Sequence, residues 1–81
     1  MLTFDIDRVH VYVSKHFRNT WMRKWDWDQT DLREALRDAL RVVRVGKGKW
    51  EIFVQKKGHK KLVIAYDAEY DEVFIISGSE G

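Results

Sequence analysis

The sequence predicts an α+β fold in which a strand and a helical hairpin precede an antiparallel four-stranded meander. Apolar residues alternate with other residues up to residue 13, which is the period of a strand. From residue 15 to about residue 40 they recur every three or four residues, which is the period of a helix. Alternation then returns up to residue 76, interrupted by short turn sequences, so strands follow the helices.

The first two elements meet at Ser14. Valines alternating over roughly residues 8–13 predict a strand, because β-branched residues with a period of two suit a pleated sheet. Ser14 is a suitable N-cap for the helix that follows. Phe17, Trp21 and Trp25 recur every four residues and predict one apolar helix face.

The second helix carries the clearest start signal. Asp28 is predicted to be its N-cap, with Asp31 at the third helical position near the positive end of the helix dipole. Trp27 and Leu32 flank this start at the spacing of a hydrophobic staple. The predicted apolar stripe consists of Leu32, Ala35, Leu36, Ala39 and Leu40.

Three turn sequences divide the second half into four strands. They are Gly46-Lys47-Gly48, Lys57-Gly58-His59 and the mostly acidic residues 67–72. Residues 73–76 are apolar on both faces, which predicts a central or covered last strand. The predicted core combines both halves of the chain: Leu32, Leu36, Ala39, Trp50, Ile52, Ile64 and Ile75.

Length and composition exclude several classes of protein. Eighty-one residues predict a single domain, and 44% hydrophobic with 14% aromatic residues exclude a disordered linker. The chain has no Cys, so disulfide scaffolds and thiol catalysis are excluded. Three scattered His predict no metal site, and we expect no cofactor. No apolar run reaches the ~18 residues of a membrane helix, so we expect a cytoplasmic protein without membrane contact.

Charge is strongly segregated along the chain. Residues 41–61 carry eight Lys or Arg against Glu51 alone, whereas residues 62–81 carry five acidic residues and no base. Such a basic block is typical of a surface that faces phosphate groups. The alternative is that hairpins of opposite charge pair with each other on a solvated sheet face.

Four short motifs carry a resemblance to a known family. They are Ser14-Lys15-His16, Met22-Arg23, Asp31-Leu32-x-x-Ala35-Leu36 and Ile75-Ile76-Ser77. With the order of elements, they resemble the RelE-like superfamily of small ribonuclease toxins, including its BrnT-like branch. The resemblance implies a RelE-like fold and an RNA-directed protein. That protein would be either a toxin with mRNA endoribonuclease activity and an antitoxin-like partner, or a catalytically degenerate RNA-binding relative.

Candidate site residues follow from the chemistry of RNA cleavage without a metal ion, which needs a base and cations for the phosphate. We expect His16 as the base, with Arg18 and Arg23 at the phosphate. The predicted RNA-binding residues are Lys24, Lys56, Lys57, Lys60, Lys61 and Tyr66. In the alternative interpretation His16 packs locally, the helix cations form a solvated face, and Tyr66 belongs to the core.

Three tryptophans favour a second class of function. Trp21, Trp25 and Trp27 lie within seven positions, and Trp is enriched at binding hot spots. An exposed cluster would make the chain a non-catalytic interaction domain that binds another protein or forms a homodimer. The alternative is that the three rings seal the helices onto the sheet.

Overall fold

The computed structural model describes residues 4–80 and confirms the predicted α+β class. Within these residues the fold has two helices and a five-stranded mixed sheet. The first helix, α1, consists of three consecutive pieces, α-helical at Lys15–Phe17, π-helical at Arg18–Met22 and α-helical at Arg23–Trp25. The second helix is α2 (Gln29–Arg37). The strands are β1 (His10–Val13), β2 (Arg41–Gly46), β3 (Lys49–Gln55), β4 (His59–Asp67) and β5 (Glu72–Glu80).

The sheet has the strand order β1-β5-β4-β3-β2. Strands β2 to β5 pair antiparallel with their sequence neighbours, which confirms the meander. The sheet has five strands rather than the four of the predicted meander, because β1 joins it parallel to β5 and makes it mixed. β5 is the last strand of the meander, and its outer edge pairs with β1. Helix α1 follows β1 directly in the sequence and packs onto β5. The long connection between them permits the parallel pairing.

Ser14 joins β1 to α1 as predicted. Its hydroxyl oxygen accepts a hydrogen bond from the Phe17 backbone N–H at 2.9 Å, which caps the helix. The same hydroxyl donates to the Ile76 carbonyl oxygen at 2.7 Å, and thereby ties the start of α1 to β5.

The π-helical segment follows from the spacing of the aromatic residues. In an α-helix, side chains four residues apart drift by about 40° around the axis, so Phe17, Trp21 and Trp25 would spread over about 80° of one face. A π-helical stretch holds more residues per turn, because its hydrogen bonds join residues five apart. Its position at Arg18–Met22 offsets the drift, and Phe17 and Trp25 are both buried.

A Schellman motif ends α1. The Trp27 N–H donates to the Met22 carbonyl oxygen at 3.0 Å and the Asp26 N–H donates to the Arg23 carbonyl oxygen at 3.3 Å. Asp26 occupies the left-handed position of the motif, with φ of 57°, where glycine is usual.

The predicted N-cap of α2 is confirmed. Asp28 and Asp31 form a reciprocal capping box, in which each side chain accepts the other's backbone N–H. The helix ends at Arg37, earlier than the apolar stripe predicted. Leu40 is therefore wrongly placed on that stripe: its N–H donates to the Phe53 carbonyl oxygen, and its side chain is 61% exposed.

The core lies between the helices and one face of the sheet. Five residues of the predicted core are completely buried: Leu32, Leu36, Ile52, Ile64 and Ile75. The other two, Ala39 and Trp50, are partly buried and pack against it.

β5 continues well beyond the apolar residues 73–76, through Ser77, Gly78 and Ser79. It is central, as predicted, and a bulge follows Ile75. Gly78 lies directly beneath the aromatic rings of α1. A Cβ atom there would lie 2.9 Å from Cε1 of Phe17 and 3.1 Å from Cη2 of Trp25. The rings can approach the strand this closely because Gly78 has no side chain.

Within residues 4–80, neither helix has the length and apolar character needed to cross a membrane.

We expect Gly78→Ala to lower the free energy of unfolding by about 1–3 kcal/mol, because the new methyl group would displace Phe17 and Trp25. The matched control is Gly46→Ala, whose added Cβ meets its nearest atom, Cβ of Lys49, at 3.8 Å. Urea denaturation of both variants measures the difference. Equal stabilities would show that the rings do not depend on Gly78.

We expect Asp26→Gly to raise the free energy of unfolding by about 0.5–1 kcal/mol, because glycine adopts the left-handed conformation without steric cost. Asp26→Ala is the control and should lower it, since alanine adds strain without the local hydrogen bonding of aspartate. Thermal unfolding distinguishes the two, and a stabilised alanine variant would contradict the strain argument.

Candidate nucleic-acid interface

The three residues predicted for catalysis are all exposed on α1. His16 and Arg18 flank the buried Phe17 and project from opposite sides of the helix. Arg23 lies five residues beyond Arg18, across the π-helical stretch. Among the described residues none of the three forms a salt bridge. The structure therefore leaves them accessible without gathering them around one point.

Lys24 and Lys56, both predicted to bind RNA, are paired with carboxylates. Lys24 donates to Glu80 at 2.8 Å, and this hydrogen bond holds the pKa of the Glu80 carboxyl below its ordinary value. Lys56 lies 3.5 Å from Asp31 and 3.8 Å from Glu34. Both lysines thus connect elements of the fold, the first α1 to β5 and the second the β3–β4 turn to α2.

Lys60 is buried, with 6% of its surface exposed. Its ammonium group donates to the carbonyl oxygens of Lys56 at 2.9 Å and Lys57 at 2.6 Å. It also lies 5.2 Å from the ring centre of Trp25 and 5.8 Å from that of Trp27. These contacts close the β3–β4 turn, where Lys57 itself has a positive φ of 58° and is exposed.

Lys61 and Tyr66 lie on opposite faces of the sheet. Lys61 pairs with Phe53 across β3 and β4, on the face away from the helices, and its ammonium group is 3.6 Å from Glu51. Tyr66 lies on the helix side, where its ring stacks on Phe4 with centres 4.7 Å apart. Its hydroxyl donates to Asp71 at 2.9 Å, which raises the pKa of Tyr66.

The predicted basic residues therefore do not form one patch. Alternation along β4 sends the neighbours Lys60 and Lys61 to opposite faces, one into the aromatic cluster and one to solvent. Lys60 is buried and Lys56 is paired with carboxylates. Lys57 is exposed in the turn, and Lys61 lies on the outer face of the sheet.

Sequence reasoning missed the outer face of the sheet, here called the open face. Both helices and the N-terminal residues from Phe4 onward pack on the other side. Tyr12, 49% exposed, pairs with Phe74, 43% exposed, and the same row continues across the sheet through Ala65 to Lys49.

A second row on the open face crosses four strands. It consists of Ser79, Lys61, Phe53 and Arg41. The Arg41 guanidinium lies 5.7 Å from the ring centre of Phe53. Aromatic rings and cations thus occupy neighbouring positions on one solvated surface. The sequence signal was available, because Tyr12, Phe53 and Phe74 alternate out of phase with the core residues of their strands.

The tryptophans do not form an exposed cluster. Trp25 and Trp27 are buried, with ring centres 4.9 Å apart, and Trp21 is half-buried beside Trp25. They seal the helices onto the sheet. The Nε1 atom of Trp27 is buried without a hydrogen-bond partner among the described residues.

Within residues 4–80 no group of three or more His, Asp or Glu side chains has an arrangement that could hold a metal ion. A groove of about 480 Å³ lies between the N-terminal residues and α2. Its charged side chains include Asp7 and Arg37, which form a salt bridge with each other.

The positions of Lys60 and Lys61 predict different effects of the same substitution. We expect Lys60→Met to lower the free energy of unfolding by about 1–3 kcal/mol, because two carbonyl oxygens lose their donor. Lys61→Met should change it by no more than about 0.5 kcal/mol, since its ion pair is at the surface. Urea denaturation of the two variants tests the assignment, which equal losses would contradict.

Comparison with known protein families, curated proteins and solved structures found no significant match to this chain.

Proposed function

We propose that this protein binds single-stranded RNA on the open face of its sheet, as an RNA-directed protein of the RelE-like kind. One observation carries the proposal: the exposed rings of Tyr12 and Phe74 lie on the same solvated face as Arg41 and Lys49. The motif resemblance supports the same class of ligand. Cleavage of the bound RNA, and a role as the toxin of a toxin–antitoxin pair, are extensions of this proposal.

The rings supply the base-binding part. Tyr12 and Phe74 are direct neighbours across β1 and β5, and each leaves nearly half of its surface exposed. Aromatic side chains of this kind stack on unpaired bases, and each stacked base contributes about 1–3 kcal/mol. In a duplex the base faces are already covered by neighbouring pairs, so the open face should favour a single strand.

The cations supply the phosphate-binding part. Lys49 lies two strands from Phe74 in the same row, about 10 Å away at the usual strand spacing. Arg41 and Lys61 flank Phe53 in the other row. Arg41 and Lys49 form no salt bridge within the described residues, so both charges are available to phosphate groups.

Cleavage is a second candidate function, favoured by the exposure of His16, Arg18 and Arg23 without salt bridges. A histidine can act as the base of such a reaction, and an arginine can hold the phosphate. These residues lie on α1, on the other side of the sheet from the open face. A cleavage site there would be separate from the stacking surface. Loss of RNA cleavage in His16→Ala, measured with chelator present, would support it; a wild-type protein that cleaves no RNA would remove it.

We expect Phe74→Thr and Tyr12→Thr each to weaken binding of a fluorescein-labelled single-stranded RNA by about five-fold or more, because each removes a stacking ring. Threonine retains high strand propensity, so the fold should persist. The matched control is Tyr70→Thr: Tyr70 is 64% exposed, in the turn before β5, and its loss should leave affinity unchanged. Fluorescence anisotropy gives the affinities. Equal effects at all three positions would contradict stacking on the open face.

We expect the logarithm of the association constant to fall linearly with the logarithm of salt concentration, because bound cations displace counterions from the RNA. Arg41→Gln and Lys49→Gln should each reduce the slope by about one. Anisotropy titrations at several salt concentrations measure this. Affinity that is independent of salt would contradict nucleic-acid binding by these residues.

A further inference from the structure

β2 is the only long free edge of the sheet within residues 4–80. It pairs with β3 alone, and its outer edge leaves alternate backbone N–H and carbonyl groups without strand partners. The opposite edge, β1, has only four residues and leads directly into α1. Val42 and Val43, at the centre of β2, are β-branched and half-buried.

The side chains along this edge are apolar or cationic. Leu40, directly before β2, is 61% exposed. Val45 is 50% exposed and lies at a bulge between Arg44 and Gly46. β2 carries Arg41 and Arg44 and no carboxylate. Arg41 lies on the open face over Phe53, and Arg44 pairs with Trp50 on the helix side. The two guanidinium groups thus flank the edge, one on each face, three residues apart.

The charge determines which kind of chain fits this edge. A second copy of this protein could offer its own β2, but that strand carries no carboxylate, so Arg41 and Arg44 would meet only apolar or cationic side chains. Like charges directly opposite each other destabilise a strand pair. A carboxylate in each of these positions stabilises it instead.

We propose that β2 is a docking edge for an extended acidic segment of another protein. The segment adds to the sheet as a sixth strand, with main-chain hydrogen bonds to β2 and two carboxylates three residues apart that meet Arg41 and Arg44. Its orientation is antiparallel, which is the more stable pairing. The proposal does not rest on RNA binding on the open face, with which the added strand shares Arg41.

A dye-labelled heptapeptide, Thr-Glu-Val-Val-Glu-Val-Thr, tests the proposal. We expect saturable binding by fluorescence anisotropy, with slower amide hydrogen exchange at the β2 N–H groups that β3 does not bond. Two control peptides should bind ten-fold or more weakly. One carries arginine in place of both glutamates, and the other carries N-methyl groups on the amides that would face β2. Absence of saturable binding up to millimolar peptide, or undiminished binding of the N-methylated peptide, would overturn strand addition.

A charge exchange tests the register. Arg44→Glu should weaken the two-glutamate peptide about five-fold, and replacing the first glutamate of the peptide by arginine should restore the affinity. Lys15→Glu makes the same charge change on α1 and should leave peptide binding unchanged. Because Arg44 is not on the open face, RNA affinity should change little. If Arg44→Glu weakens RNA binding and leaves peptide binding unchanged, the edge belongs to a nucleic-acid surface and the proposal is wrong.

Discussion

The close approach of two aromatic rings to one glycine organises this small domain. Phe17 and Trp25 rest on Gly78 of β5, and Trp27 packs against Trp25 from the link between the helices. Lys60 lies beneath the two tryptophans and closes the β3–β4 turn through the carbonyl oxygens behind it. The position of α1, the conformation of a turn and the path of the last strand therefore depend on the same contact. The π-helical segment of α1 contributes to this contact too, because its wider turn offsets the drift between residues four apart.

The sequence predicted most of the elements, because local patterns determine them. Capping residues and the change of period located both helices and the four strands of the meander. The pairing of β1 with β5 depends instead on which edge of the meander remains free. A local sequence pattern does not indicate which edge that is. The last strand extends through Ser77 and Gly78, which have little strand preference. Strand pairing with β4 and the rings of Phe17 and Trp25 above Gly78 keep these two residues extended. Both are contacts between distant parts of the chain.

The candidate site was harder to predict, because clustering of charge in sequence differs from clustering in space. On a strand, neighbouring side chains point to opposite faces, so Lys60 and Lys61 have unrelated surroundings. Helix α2 presents Asp31 and Glu34 to Lys56, which removes another charge from the expected patch. Residues on the open face, such as Tyr12 and Phe74, come from distant positions and become neighbours only through the parallel pairing of β1 and β5 that the sequence did not reveal.

The two proposed interactions meet at Arg41. Its guanidinium lies over Phe53 on the open face, within reach of a phosphate group there, and it also flanks the free edge of β2. A carboxylate on an added strand would neutralise this charge and weaken the attraction for RNA. Linkage requires the reverse effect to have the same size, so bound RNA would weaken the added strand equally. Because Arg44 lies on the helix side, its contribution to the edge is separate from this competition. A domain of this size can therefore couple an acidic protein partner to an RNA ligand through one side chain, without a change in its fold.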